Sequence, residues 1–313
     1  MSSSSRKVIY AALAGNGLIA ITKFIAASIT GSSAMLSEAI HSVVDTGNQL
    51  LLLYGLKRSK TPPSEQFPFG HGKEVYFWSF IVAILIFAVG AGVSIYEGVH
   101  SILQPAEIQN VMVNYIVIGI AIVFEGAAWY FALHEFSRAK GKWGYIEAVQ
   151  RGKDPSMFVV LFEDSAALLG LTVAFLGIWL TQVTGILYFD GVASILIGMI
   201  LGGTAIWLAH ETKGLLIGES AEPEVVESIR KLVSLYPDIE NINEILTMHM
   251  GPDYILVNIS IDFIDTTLAG NIEHIVAEMD KTIKQEHPRV KRIFIEAESR
   301  HSRSDPTGTD NSR

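Results

Sequence analysis

The sequence predicts an all-α membrane domain of six transmembrane helices followed by a small C-terminal α+β domain. Half of the 313 residues are hydrophobic and only 18% are charged, a balance that points to a membrane protein. Six apolar runs reach the roughly 20 residues needed to cross the hydrocarbon, at about 8–29, 34–56, 76–103, 111–134, 157–181 and 187–209. After residue 210 the long apolar runs stop and shorter patterns of period 3.6 and 2 take over.

The connections between the runs set an orientation. Residues 30–33, 104–110 and 182–186 contain no Lys or Arg, whereas the other ends carry Arg6 and Lys7, then Lys57, Arg58, Lys60 and Lys73, then Arg138, Lys140, Lys142, Arg151 and Lys153. Basic residues mark the cytoplasmic side, so both termini are expected in the cytoplasm. The formal net charge of -9 hides this asymmetry, because the acidic excess falls after residue 210. That distribution argues against a nucleic-acid partner. Residues 1–7 form a short polar start without an evident signal-peptide or organellar leader pattern, which favours a bacterial inner membrane.

The predicted domains are 1–210, spanning the bilayer, and 211–299, in the cytoplasm, with 300–313 as a polar, disordered tail. The second domain reads as helix, strand, strand, helix, strand. Pro223 opens a helix whose Val225, Val226, Ile229, Leu232 and Val233 recur at helical spacing. Strand character follows at 242–249, and Ile255, Val257, Ile259, Ile261 and Phe263 alternate cleanly. A second helix is expected over 272–285 and a last strand over 290–297.

Ionisable side chains inside the apolar runs carry the functional argument, since each costs about 2.5–3.5 kcal/mol at mid-membrane on insertion scales. His41 and Asp45 lie one helical turn apart in the second run, with Glu38 extending the same face. Glu163 and Asp164 interrupt the fifth, and their 100° separation lets only one easily face a shared site. Lone polar groups usually serve packing, but several carboxyls and an imidazole together repel or demand a cation or protons. Glu125 in the fourth run and Asp190 at the start of the sixth fit either a structural hydrogen bond or a proton path. Lys23 is expected to snorkel outward with no transport role. Gly198 and Gly202 give a small-xxx-small spacing that reports close helix packing. There is no cysteine, so any metal ligand must be His, Asp, Glu or backbone oxygen.

With these residues placed, the sequence resembles the cation diffusion facilitator family of metal/proton antiporters. The likeness rests on TGSSAMLSEAIHSVVD at 30–45 and PFGHGK at 68–73; EDSAA at 163–167 and LLIG at 215–218 are similar to the zinc-transporter-nine-like subgroup. The resemblance implies a ferredoxin-like, metallochaperone-like cytoplasmic domain, a homodimer and no enzymatic activity. It implies a transport site of two residues four apart in the second span and two in the fifth. His41, Asp45 and Asp164 match three of these positions, and the fourth falls on Val160, leaving Glu163, Glu125 or water to complete the shell. His71 matches a loop metal position whose usual partners here are Phe67 and Ser64. His249, Glu296 and Glu298 lie where a metal could bind the soluble domain, although alternating acids on a strand usually form its solvated face.

The expected activity is export of zinc in exchange for protons by alternating access, with no cofactor beyond the transported ion. Manganese, iron(II) and cobalt are the alternative cargoes. A receptor or scaffold without transport is the rival from another class. An intramembrane metallohydrolase lacks its HExxH motif here.

Overall fold

The computed structural model describes residues 3–299; the tail expected to be disordered lies outside them. Its helices are α1 (Ser3–Thr30), α2 (Ser33–Arg58), α3 (Glu74–Leu85), α4 (Gly92–Leu103), α5 (Val111–Ala139), α6 (Tyr145–Arg151), α7 (Pro155–Thr184) and α8 (Tyr188–Ile217). Among the described residues four stretches are long and apolar enough to cross a membrane: Glu74–Leu103, Val111–Ala139, Phe158–Thr184 and Tyr188–Ile217. The helix α2 carries Glu38, His41, Asp45 and Asn48 and so is more polar, while in α1 the described apolar part is Asn16–Thr30.

Local chemistry sets the helix ends. Ser32 caps α2 by accepting the Met35 N–H at 3.2 Å, and Asp154 caps α7 by accepting the Ser156 N–H at 3.1 Å, with Pro155 in the first turn. Gly185 ends α7 in the left-handed region at φ 72°. The third apolar run is interrupted: Ile86–Ala91 is a π-helical segment between α3 and α4. The alternation expected of a single α-helix does not foresee it, because the extra residue is absorbed within the turn. Gly198 and Gly202 pack on this helix, against Ala91 and Ile95.

The helix α2 is central, packing on α1, α3, α4, α7 and α8, whereas α5 lies mainly on α1 and α7. This places α2 and α7 side by side. Running past residue 210 to Ile217, α8 leads straight into the small C-terminal domain.

That domain comprises α9 (Pro223–Val233), β1 (Ile239–Gly251), β2 (Tyr254–Phe263), α10 (Ala269–Glu286) and β3 (Val290–Ala297). Its sheet has β2 in the centre, antiparallel to β1 and parallel to β3. Ile255, Val257, Ile259, Ile261 and Phe263 are buried on one face with Ile229 and Val233 of α9 and Ile275, Met279 and Ile283 of α10. The period-2 and period-3.6 patterns thus meet in one core. The short α6 has no counterpart in the hydropathy pattern, being too short to show a period.

Contact between the two parts is close at Gly72, where an added Cβ would stand 2.2 Å from the Met250 carbonyl oxygen. Lys73 reaches the last carbonyls of α8, at 3.5 Å from both Leu216 and Ile217. Lys153 pairs with Glu219, and Arg151 with Glu224 at 3.2 Å. Gly72→Ala is therefore expected to lower stability by about 1–3 kcal/mol, the usual range for overpacking, read as a fall in the thermal midpoint of the detergent-solubilised protein.

Candidate functional site

Side chains on the inner face of α2 build the site. Glu38, His41 and Asn48 are essentially inaccessible, and Asp45 is 15% exposed. His41 Nδ1 lies 3.2 Å from Asp45 Oδ1, as the one-turn spacing requires. The two are not aligned as a hydrogen bond, so both imidazole nitrogens and Asp45 Oδ1 are buried without a partner. Such groups carry a desolvation cost that a cation or proton removes.

Across from them, α7 contributes both of its adjacent acids. Glu163 accepts the Asn48 amide at 2.6 Å and lies within hydrogen-bonding reach of Asp45. Two carboxyls in contact must share a proton or a cation. Asp164 points elsewhere, into a small cavity of about 20 Å³, enough for a water molecule or a bare ion. Asp45 from α2, Glu125 from α5 and Asp164 line that cavity together with Asn16, Ser42 and Gln49. His41 and Glu163 do not line it. Among the described residues no three His, Asp or Glu side chains converge tightly enough to hold a metal ion.

The cavity continues into a cleft of about 440 Å³ that shares Asn16, Gln49, Ala128 and Asp164 with it. Leu52, Leu56, Phe131, Ala132 and Val160 give this cleft an apolar wall, and it extends to Glu135 and Ser156 near the ends that carry the basic loops. Val160, at the position implied for a fourth ligand, belongs to this wall.

Lys23 departs from the sequence reading. Instead of snorkelling it is fully buried, donating to Glu38 Oε2 at 3.1 Å, Ser42 Oγ at 2.8 Å and Glu125 Oε1 at 2.7 Å. Three acceptors satisfy the ammonium where it stands, so it has no need of the interface. Glu38 Oε1 fits against α7 because Gly170 has no side chain; an added Cβ there would sit 2.2 Å from it. Asp190 accepts from Ser32 Oγ and the Ser33 N–H, both at 2.6 Å, and from Ser33 Oγ at 3.0 Å, which places a carboxyl acceptor at the α2 N-terminus.

The remaining candidates lie apart from one another. His71 packs on Phe67 with the rings tilted at 47° and their centroids 4.6 Å apart, in a loop-side cleft that Asp154 and Asp253 also line. His249 is buried, with Nδ1 3.3 Å from the Gly251 carbonyl and Nε2 4.0 Å from Glu222. Glu296 accepts from Asn258 at 3.3 Å and Glu298 from Ser260 at 2.8 Å. The register sets His249 opposite Ile255 and Glu296 opposite Ser260, roughly 16 Å along the strand, too far for one ion.

Sequence reasoning missed Asn16, Ser42, Gln49 and Asn48. Gln49 was reachable, standing one turn beyond Asp45 on the same face. Asn16 was visible only as a polar residue in an apolar run.

The family model for the cation efflux transmembrane domain matches residues 9–217. The human protein named proton-coupled zinc antiporter SLC30A9, mitochondrial, is 35% identical over 260 residues, covering 82% of this chain and 46% of its own length. Metal tolerance protein C4 of Arabidopsis thaliana is 30% identical over 261 residues, 83% of this chain and 57% of that protein. The manganese efflux system protein MneP of Bacillus subtilis is 24% identical over 301 residues, covering 93% and 95%. The chain thus spans about half the length of the human and plant relatives.

Two outcomes are expected. Asp190→Ala leaves three donors of Ser32 and Ser33 without their acceptor and lowers stability by about 1–3 kcal/mol, read as a fall in the thermal midpoint of the detergent-solubilised protein. Burial holds His249 below the ordinary histidine range, outweighing the Gly251 carbonyl and Glu222, which favour its charged form. The unfolded chain then binds a proton that the folded one does not, so stability falls as pH drops below about 6.5. An acid titration of thermal midpoints should show this slope, and His249→Gln should flatten it.

Proposed function

The chain belongs to the cation efflux, or cation diffusion facilitator, family, within its zinc-transporter-nine-like subgroup, and from that premise we propose that it exports zinc in exchange for protons. The family is one of cation transporters rather than enzymes, and this chain is a multi-pass membrane protein. The observation that carries the proposal is the meeting of Asp45, Glu125 and Asp164, from three helices, at one cavity with the unpartnered His41 imidazole behind it.

In the proposed cycle the ion enters by the cleft between α2, α5 and α7 and binds Asp45 and Asp164. His41 then turns its free nitrogen to the ion, and Glu163 or Glu125 supplies the donor that Val160 cannot. Protons and metal compete for the same carboxylate and imidazole atoms, so protonation from the far side releases the ion. A mixed nitrogen and oxygen donor set suits zinc, and its carboxylates also admit manganese, iron(II) and cobalt. The relatives' names bear on both sides of that choice, zinc in the human protein and manganese in the bacterial one.

The same reading takes α1, α2, the α3–α4 helix, α5, α7 and α8 as six spans, dividing near residue 210 from a ferredoxin-like cytoplasmic domain. Both ends then face the cytoplasm, because Lys153 and Arg151 sit at the end that holds the sheet. A homodimer and a bacterial inner membrane complete the proposal. His71, His249, Glu296 and Glu298 are left outside the transport path.

In proteoliposomes with an imposed proton gradient, zinc should move protons and be moved itself, with manganese, iron(II) and cobalt as comparisons. Asp45→Asn and Asp164→Asn should each cut the flux by at least about tenfold, the lower end of what even supporting residues of a metal site cost. Unchanged flux in both variants would favour the receptor or scaffold reading.

A further inference from the structure

A buried lysine beside a proposed cation site is electrostatically unfavourable unless it does something for that site. The ammonium of Lys23 spends its three N–H groups on Glu38, Ser42 and Glu125. Two carboxyls therefore share one cation, and each keeps a buried oxygen without a partner, Glu38 Oε1 and Glu125 Oε2.

These two leftover oxygens differ in where they lie. Glu38 Oε1 is closed in against the α7 backbone at Gly170. Glu125, by contrast, lines the cavity with Asp45 and Asp164. Its helix α5 packs mainly on α1 and α7, so the bond from Lys23 ties the α5 carboxyl to α1 and, through Glu38 and Ser42, to α2. A glutamate has three rotatable side-chain bonds, and a fixed oxygen at one end removes most of that freedom.

We infer that Lys23 is a positioning residue for the transported ion, gripping Glu125 by one oxygen so that its carboxyl stays at the cavity wall beside Asp45 and Asp164. An ammonium has no lone pair and cannot itself ligate a metal. Its effect on the ion runs through Glu125, and it opposes the plain repulsion of two cations. The inference rests on the cavity being the ion site, and it assigns transport significance to a residue of α1 that is neither a ligand nor an interface anchor.

The test is metal-concentration dependence of flux in proteoliposomes, with Asp164→Asn as the separate check on the site. Lys23→Met and Glu125→Gln should each raise KM roughly tenfold, in line with supporting residues of metal sites, and Lys23→Met should keep most of the rate at saturating metal. The double variant should be no worse than either single one, as expected for residues acting through one contact. Lys23→Arg, which keeps charge and donors, should restore most of the lost affinity. A fall in KM for Lys23→Met would overturn the inference by showing that repulsion dominates. So would multiplying effects in the double variant. If Lys23→Met fails to reach the membrane, Glu125→Gln still decides: an unchanged KM there, with Asp164→Asn inactive, rejects the role of Lys23 and leaves the site itself standing.

Discussion

Desolvation of carboxyl groups governs this helix bundle. Among the described residues, Glu38 and Glu125 pair with the ammonium of Lys23, Asp45 and Asp164 line one cavity with Glu125, and Glu163 lies against Asp45 and Asn48. Five acids and one base cannot all be charged in a low-dielectric core without additional positive charge. Either protons or a metal ion must make up the difference. The bundle is thus built with a standing demand for cations, and its surroundings decide which cation meets it at a given moment.

The small residues and caps serve that demand. Gly170 makes room for Glu38 against α7, and Asp190 of α8 holds the N-terminus of α2 through Ser32 and Ser33. With its start pinned, α2 presents Glu38, His41 and Asp45 in a fixed rotational phase. An unpinned α2 could turn and disperse them.

Much of the architecture was legible because hydropathy has length and period. The sheet strands emerged from the alternation of Ile255, Val257, Ile259, Ile261 and Phe263, and the pairing of His41 with Asp45 from their spacing. What escaped were facts that depend on neighbours distant in the chain. Lys23 looked free to reach the interface because its acceptors come 15, 19 and 102 residues later. The angle of about 100° between Glu163 and Asp164 was legible, as one facing the shared site and the other turned away, but the second partner of Glu163 was not. In the fold, one meets Asp45 and Asn48 while the other meets the cavity. Asn16 could not be assigned without knowing which helices close the cavity.

The π segment at Ile86–Ala91 divides one long rod into two members with different attachments. Both members pack on α2 and α8, but only the first, α3, reaches the β1 strand, while the second, α4, lies most closely along α8 at Gly98, Gly191 and Gly198. A π segment of this kind is a usual place for a helix to change direction. The sheet's contact with the bundle at α3 thus falls on the same side of Ile86–Ala91 as the α3–α2 packing, one helix away from the buried acids.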